Sequence, residues 1–313
     1  MRVFVAGATG AIGRQLVPRL VAAGHEVHGM TRTESKRAML DAMGAVPVVA
    51  DALDLEQVAE AVVRARPEVI VHQLTAIPTG LNIRRFDRDF APTNRLRTQG
   101  TDHLLSAGQA VGVRRFVAQG VCAYGAYART GGPVKTEEDP LDATPAPKMR
   151  ETLAAIRYLE EAVLGARWTE GIVLRYGVFY GPGTSLAPGE AMVELIRKRK
   201  FPLVGDGGGV WSFIHVADAA EATMAAIEHG TRGVYNIVDD DPAPVADWLP
   251  TMAQIFGAKK KPMRVPQRVG RMFAGEAGVT MMTDVRGASN AKAKSELDWR
   301  PAHPSWRQGL MAK

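Results

Sequence analysis

The sequence predicts an α/β protein built on a doubly wound parallel sheet, with a smaller α/β portion toward the C-terminus. Three observations carry that expectation. Val3-Phe-Val-Ala6 is a short apolar run of the kind that forms a strand buried on both faces. Gly7, Gly10 and Gly13 follow at once, and a helical pattern (Ile12, Leu16, Val17, Leu20, Val21) begins among them. Strand-like and helix-like segments then alternate through the first half, which implies right-handed crossovers and helices on both faces of the sheet. At 313 residues the chain is long for one compact core. The natural division is a first domain at 1–176, including a loop at 128–148, and a second portion at 177–313 interleaved with it through the sheet edge.

Taken in order, Glu26–Thr31 reads as the second strand and residues 34–43 as a helix. Val46-Pro-Val-Val-Ala50 is the third strand, ending in Asp51-Ala-Leu-Asp54, and residues 55–65 are helical. Residues 68–72 form the fourth strand, a long helix occupies about 94–111, and residues 115–119 form the fifth strand. Residues 128–148 are rich in Gly, Pro, Thr and acids, the composition of a loop over one end of the sheet. A helix over 149–165 and a sixth strand over 171–176 complete the first domain.

A strand, a glycine turn and a helix start in that order make an anion site. The glycines let the backbone turn tightly and approach a pyrophosphate, whose charge meets free N–H groups at the helix N-terminus. The rest of the composition narrows the function class. A formal charge of +6 is scattered, densest at residues 31–37 and 197–200; without a nucleic-acid motif this reads as solvated helix faces plus a phosphate pocket. Cys122 is the only cysteine, so no intrachain disulfide forms, which suits a reducing cytoplasm. No apolar stretch reaches transmembrane length, no targeting segment is evident, and seven dispersed histidines argue against a metal site.

The spacing Gly7-x-x-Gly10-x-x-Gly13, with its core Gly-Ala-Thr-Gly, resembles the extended short-chain dehydrogenase/reductase family, the NAD-dependent epimerase/dehydratase type. The likeness continues in Tyr176-Gly-Val-Phe-Tyr-Gly-Pro-Gly183, in Val204-Gly-Asp-Gly, in Trp211–Asp218, in Gly233–Val238 and in Lys294–Pro301, so it covers nearly the whole chain. It implies a Rossmann sheet and a nicotinamide dinucleotide held by Gly7, Thr9, Gly10, Ala11, Ile12, Gly13, Arg32, Lys36, Asp51, Ala52, Leu74, Thr75, Arg97, Gln119 and Tyr176. It also implies a C-terminal substrate portion and, by analogy, a homodimer.

The match fails where the chemistry should lie. The family carries a Tyr and a Lys four residues apart on one helix face, so that the ammonium lowers the phenol's pKa. Registering Glu161-Ala-Val-Leu on the family's helix end puts Leu153 and Arg157 in their places; a shift of one residue gives Thr152 and Ile156. None of the six tyrosines has a lysine four residues on. Counting back four residues from Tyr124-Gly125 puts Gly120 where the family has Ser or Thr, and Arg97 stands at the family's helix Asn. Tyr124, Tyr127, Lys148 and Arg157 are therefore the catalytic candidates. Each has a structural alternative: a satisfied hydroxyl for the tyrosines, an ion pair with Glu161 for Arg157. An oxidoreductase, a non-redox isomerase or lyase, and a catalytically silent dinucleotide-responsive protein all remain open.

Two specificity expectations follow. An NAD-preferring fold ends its second strand in a carboxylate, whereas this strand ends Gly29-Met-Thr-Arg32 with Lys36 beyond. Arg32 and Lys36 suit a 2′-phosphate, so NADP(H) is expected over NAD(H). Family members acting on nucleotide-sugars generally present an Arg before the Phe-Ile-His-Val segment, and here Trp211-Ser212 stands there. Trp211, with Phe179, Tyr180 and Met192, predicts an apolar wall and a small, uncharged carbonyl or alcohol as substrate. His215, Cys122 and the methionine-rich residues 278–282 read as structural.

Overall fold

The computed structural model describes residues 1–78, 80 and 82–311. Seven parallel strands form the central sheet: β1 (Arg2–Ala6), β2 (Glu26–Thr31), β3 (Val46–Val49), β4 (Val69–His72), β5 (Arg115–Val121), β6 (Glu170–Tyr176) and β7 (Gly233–Ile237). Their spatial order is β3-β2-β1-β4-β5-β6-β7. Alternation along β1 sends Val3 and Val5 to one face, packed with Leu16, Val17 and Leu20, and Phe4 and Ala6 to the other, packed with Val58, Leu104 and Phe116. This is why the strands read as continuous apolar runs: both faces are covered. The order reverses between β1 and β4, and in such sheets ligands enter the crevice at the carboxyl ends of the strands beside that point.

The sequence predicts six strands here; the seventh comes from beyond residue 176. Gly233↔Ile172 through Ile237↔Tyr176 pair in parallel, so a segment expected in the substrate portion extends the main sheet. The rest of the C-terminal part is held by short pairings: residues 178–180 with 213–215, 210–211 with 243–244, 203–204 with 264–265, and 134–135 with 287–288.

On the crossovers, α1 (Ala11–Ala22) follows β1, α2 (Arg37–Ala42) follows β2, and α3 (Leu55–Ala65) follows β3. Asp54 caps α3, accepting from the N–H groups of Glu56 and Gln57. The helix expected at 94–111 begins earlier. It runs as α4 (Phe86–Arg95), a five-residue π-turn Leu96–Gly100, and α5 (Thr101–Ala110). Pro92 inside α4 hides this start, because an interior proline ordinarily ends a helical pattern. After β5 come the 128–148 loop and α6 (Arg150–Gly165). Residues 278–282 lie on a helix, Gln267–Thr283, kinked at Gly275.

The C-terminal tail is tied to the end of β7 by a buried carboxyl. Asp239 accepts from the N–H groups of Trp306 (2.8 Å) and Asp241 (3.2 Å). Burial first, and then the neighbouring Asp241 and Asp240 charges, push its pKa up to about 8. An acid whose folded pKa lies above its unfolded value binds a proton on folding, so stability falls as pH rises from about 4 to about 8. Asp239→Asn keeps an acceptor for Trp306 and removes the ionisation. Urea melts at pH 5 and pH 8 should show a decline for the wild type and a flatter response for the variant; equal declines in both would refute the assignment.

Candidate active site

The turn after β1 is built to let backbone approach backbone. Gly7 adopts φ +93°, and a Cβ there would lie 2.6 Å from the Gln73 carbonyl oxygen at the end of β4. A Cβ at Gly13 would lie 2.4 Å from the Ala8 carbonyl oxygen, so α1 packs directly on the turn. Gly10 begins α1 without a side-chain cap, leaving the first helical N–H groups, from Ala11, Ile12 and Gly13, for an anion. This cradle fits a pyrophosphate. Thr9 leans on Thr31 across the turn (3.5 Å). Arg32 and Lys36 lie exposed just past β2, and neither forms an ion pair among the described residues. Asp51 turns its carboxylate back to the Leu53 N–H (3.0 Å), Ala52 is buried, and its carbonyl accepts from His103. Leu74 and Thr75 follow β4, and Gln119 is half-buried on β5. Tyr176 departs from its expected role: its hydroxyl is enclosed between Gln73 (3.1 Å) and Thr223 (2.7 Å).

Beyond β5 the chain turns through two left-handed residues, Tyr124 (φ 58°) and Gly125 (φ 78°). Tyr124 thereby enters a narrow cleft with about 20 Å³ open to a water-sized sphere, lined by Phe86, Phe90, Arg97, Leu153 and Ile156 among others. Leu153, one of the two residues the sequence register sets against the family's tyrosine, puts an isobutyl group on the wall, and Thr152, the other, lines it too. Gly120 has a steric cause: a Cβ there would lie 2.8 Å from Val173 Cγ1 and 3.2 Å from the Arg175 stem.

Arg97, expected among the cofactor contacts, lines this cleft instead. It sits in the π-turn, an irregularity frequent at functional sites. The residue is 4% exposed, and its guanidinium donates to Asn94 Oδ1 at a long 3.4 Å and lies 5.9 Å from the Phe90 ring centre. Burial lowers its pKa to about 10, still well above neutrality. His72 beneath it is buried, bonds Thr101 (3.1 Å) and has its pKa lowered to about 4 by burial, so it is neutral. Burial also raises the Tyr124 phenol, against the smaller opposing pull of Arg97.

The other sequence candidates go elsewhere. Tyr127 is fully buried; its hydroxyl donates to Asn236 (2.7 Å) and accepts from Arg175 (2.9 Å), and burial raises its pKa. Arg175 in turn forms a buried bidentate pair with Glu160 (2.7 and 2.6 Å). Truncating either member would strand a buried charge, at about 3–5 kcal/mol. Lys148 is exposed on a 3-10 turn. Arg157 pairs with no carboxylate; it donates to the carbonyls of Leu141 and Asp142 and so holds the 128–148 loop. Tyr158 lies off the site, donating to Asp102. Cys122 is buried, with its thiol pushed up to about 12 by burial, and His215 caps the helix Val216–Glu228.

Of the expected substrate wall, none lines the cleft itself, and Trp211 comes nearest, behind Tyr124. It packs edge-on to Tyr124 (6.3 Å) and spends its N–H on the Met281 carbonyl (2.8 Å). Tyr180 is fully buried, with its hydroxyl unpartnered, and packs on His215 (5.2 Å). Phe179 packs on Tyr176 (5.3 Å), and Met192 joins the Trp248 cluster. Sequence reasoning missed Phe86 and Phe90, an i, i+4 aromatic pair stacked at 4.4 Å. It also missed Asp87, which accepts from the Glu151 and Thr152 N–H groups and the Thr152 hydroxyl and so fixes the start of α6.

A parallel sheet with this glycine cradle and a cleft at its carboxyl edge defines a dinucleotide-binding α/β protein. Residues 3–238 match the NAD dependent epimerase/dehydratase family, and the chain belongs to it. It is 46% identical over 314 residues, 99% of each chain, to a 3-diazoavenalumate denitrifying reductase from a Streptomyces species. It is 28% identical over 275 residues, 88% of this chain and 79% of the other, to a 4-hydroxy-2-methyl-3-oxo-4-farnesyl-3,4-dihydroquinoline-1-oxide ketoreductase from Stigmatella aurantiaca. In fold it is similar to UDP-glucose 4-epimerase from Thermotoga maritima (TM-score 0.77, 22% identity, 99% and 96% of the two chains). No described helix is long and apolar enough to cross a membrane.

The placement of Arg157 and Tyr158 has a measurable consequence. Arg157→Ala should speed amide hydrogen exchange in the 128–148 loop, whereas Tyr158→Phe should leave that loop and the cleft unchanged. Unaltered exchange in Arg157→Ala would show that the loop is held by other contacts.

Proposed function

We propose that this chain is an NADP(H)-dependent reductase that replaces a diazo group on a flat, conjugated substrate with hydrogen, releasing dinitrogen. The observation that carries the reading is Leu153 on the wall of the cleft, where the family's proton-donating tyrosine would stand. Reduction of a ketone leaves an alkoxide that must be protonated, and a tuned phenol does that work. Reductive loss of dinitrogen needs no external proton. When bound, the nicotinamide supplies a hydride that becomes the new C–H bond, while the C–N bond breaks with its electron pair leaving in N₂ and the diazonium charge is cancelled. A site that has lost its tyrosine and lysine is fitted to such a reaction, and the relative at 46% identity carries the name of a diazo-compound reductase.

The protein's part is to bind, orient and exclude water. The Gly7–Gly13 cradle takes the pyrophosphate, and Arg32 and Lys36 stand where a 2′-phosphate would project. Phe86, Phe90 and Tyr124 offer aromatic faces and edges to a planar substrate. This substrate class replaces the simple apolar carbonyl or alcohol expected from Trp211 alone. The ketoreductase relative favours a second reading, in which Tyr124, the phenol lining the cleft, protonates a ketone.

Isotopes separate the two. With NADPH deuterated at the transferred position, diazo reduction should place one deuterium on the product ring carbon. One N₂ should form per NADPH, the rate should be unchanged in D₂O, and Tyr124→Phe should retain turnover. Ketone reduction would instead show a solvent isotope effect and a drop of about a hundredfold or more in Tyr124→Phe. For the cofactor, calorimetry should show NADP(H) binding more tightly than NAD(H), with Arg32→Ala weakening only NADP(H). Equal affinities in the wild type would count against the preference.

A further inference from the structure

The cleft holds one ionised group, and that group lacks a counter-charge. Arg97 is 96% buried by its 4% exposure, its single hydrogen bond is the long one to Asn94, and it has no salt bridge among the described residues. Guanidinium groups that are this buried are ordinarily paired, because an uncompensated buried charge is costly. Nothing below supplies the missing charge: His72 is neutral, and Thr101 donates its hydroxyl hydrogen to the Arg97 carbonyl (2.7 Å). The nearest carboxylate along the polar chain is Asp87. It is occupied by the start of α6 and reaches Arg97 only through Thr152 and Asn94. That chain holds one edge of the guanidinium, and its other nitrogens have no hydrogen-bond partner among the described residues. Around it stand Phe86, Phe90 and Tyr124.

We propose that Arg97 is the anion-recognising residue of the cleft, taking the carboxylate of a flat conjugated acid whose body lies against Phe86, Phe90 and Tyr124. A planar fork matches a carboxylate by two parallel N–H···O bonds, stronger than neutral ones. The inference deepens the proposed function, since it rests on this cleft being the substrate's. It assigns the end of the substrate that does not react: the anion sits on Arg97, which sets the direction in which the conjugated body enters. The same cation disfavours a diazonium group inserted the wrong way round, so specificity has a repulsive as well as an attractive part.

Calorimetric titration of the NADP⁺-bound protein with cinnamate and with cinnamamide tests this without any turnover. The pair has the same planar body and differs in the anion. Cinnamate should bind at least about tenfold more tightly, as expected for a charge-assisted bidentate contact. Arg97→Gln should bring the two ligands to similar affinity, and Arg97→Lys should keep part of the preference. Equal binding of acid and amide by the wild type, no measurable cinnamate binding, or a preference that persists in Arg97→Gln would each overturn the proposal. The wild-type comparison needs no variant to fold. Because no diazo compound is present, a protein that proves unable to reduce diazo substrates can still pass, and one that reduces them can still fail.

Discussion

The molecule depends on a close approach of backbone to backbone at the point where the strand order reverses. Gly7 lies so near the Gln73 carbonyl that a methyl group would overlap it, and α1 presses on Ala8 through Gly13. Those contacts fix where the free N–H groups of α1 point, and hence where a dinucleotide enters. They also bring the end of β4 beside the end of β1, with Gln73 reaching Tyr176 across to β6. The turn, the crevice and the neighbouring cleft are set by this one packing constraint.

Around it, the polar interior is divided into two regions of different character. On one side Tyr127, Arg175, Glu160 and Asn236 form a network in which the phenol and the guanidinium are both bonded and the guanidinium meets a carboxylate, with the Asn236 amide nitrogen left over. On the other, Asp87, Thr152 and Asn94 form a chain that ends at Arg97 with donor capacity left over. Both regions contain a tyrosine beside an arginine, so residue type alone does not separate them. The distinction lies in whether the arginine meets a carboxylate, as Arg175 does and Arg97 does not among the described residues, and that is why Tyr124 and Tyr127 read alike in the sequence and differ in the structure.

The same reasoning explains how far the sequence could be read. The sheet was legible because buried parallel strands leave uninterrupted apolar runs, and the glycine turn because only glycine meets its contacts. The start of α4 was hidden by Pro92, whose helix is held by Asp87 and by packing of Phe86 on Phe90. The seventh strand was hidden because its partner is sixty residues away in the chain, and no local pattern reports pairing. In the site, the sequence register drew attention to Leu153 and Gly120, and the structure places Leu153 on the cleft wall and Gly120 against Val173. The place of Arg97 in the cleft was not legible, since Arg97 becomes conspicuous only when its lack of a counter-charge is seen. Tyr180, Phe179 and Met192 were placed on a substrate wall from sequence proximity to the Tyr-Gly-Pro turn. The short pairing of 178–180 with 213–215 buries Tyr180 against His215 and sets Phe179 on Tyr176, while Met192, on the helix 191–197, packs in the Trp248 cluster.

Gly120 carries an implication for how this site could change. The neighbouring strand presents Val173 and the stem of Arg175 where any side chain at 120 would begin. Arg175 is itself locked to Glu160 and Tyr127. A serine at 120 would therefore require the Val173 methyl group and the Arg175 stem to shift. The core around position 120 is packed to the backbone, so any side chain placed there has to be accompanied by repacking of the neighbouring strand.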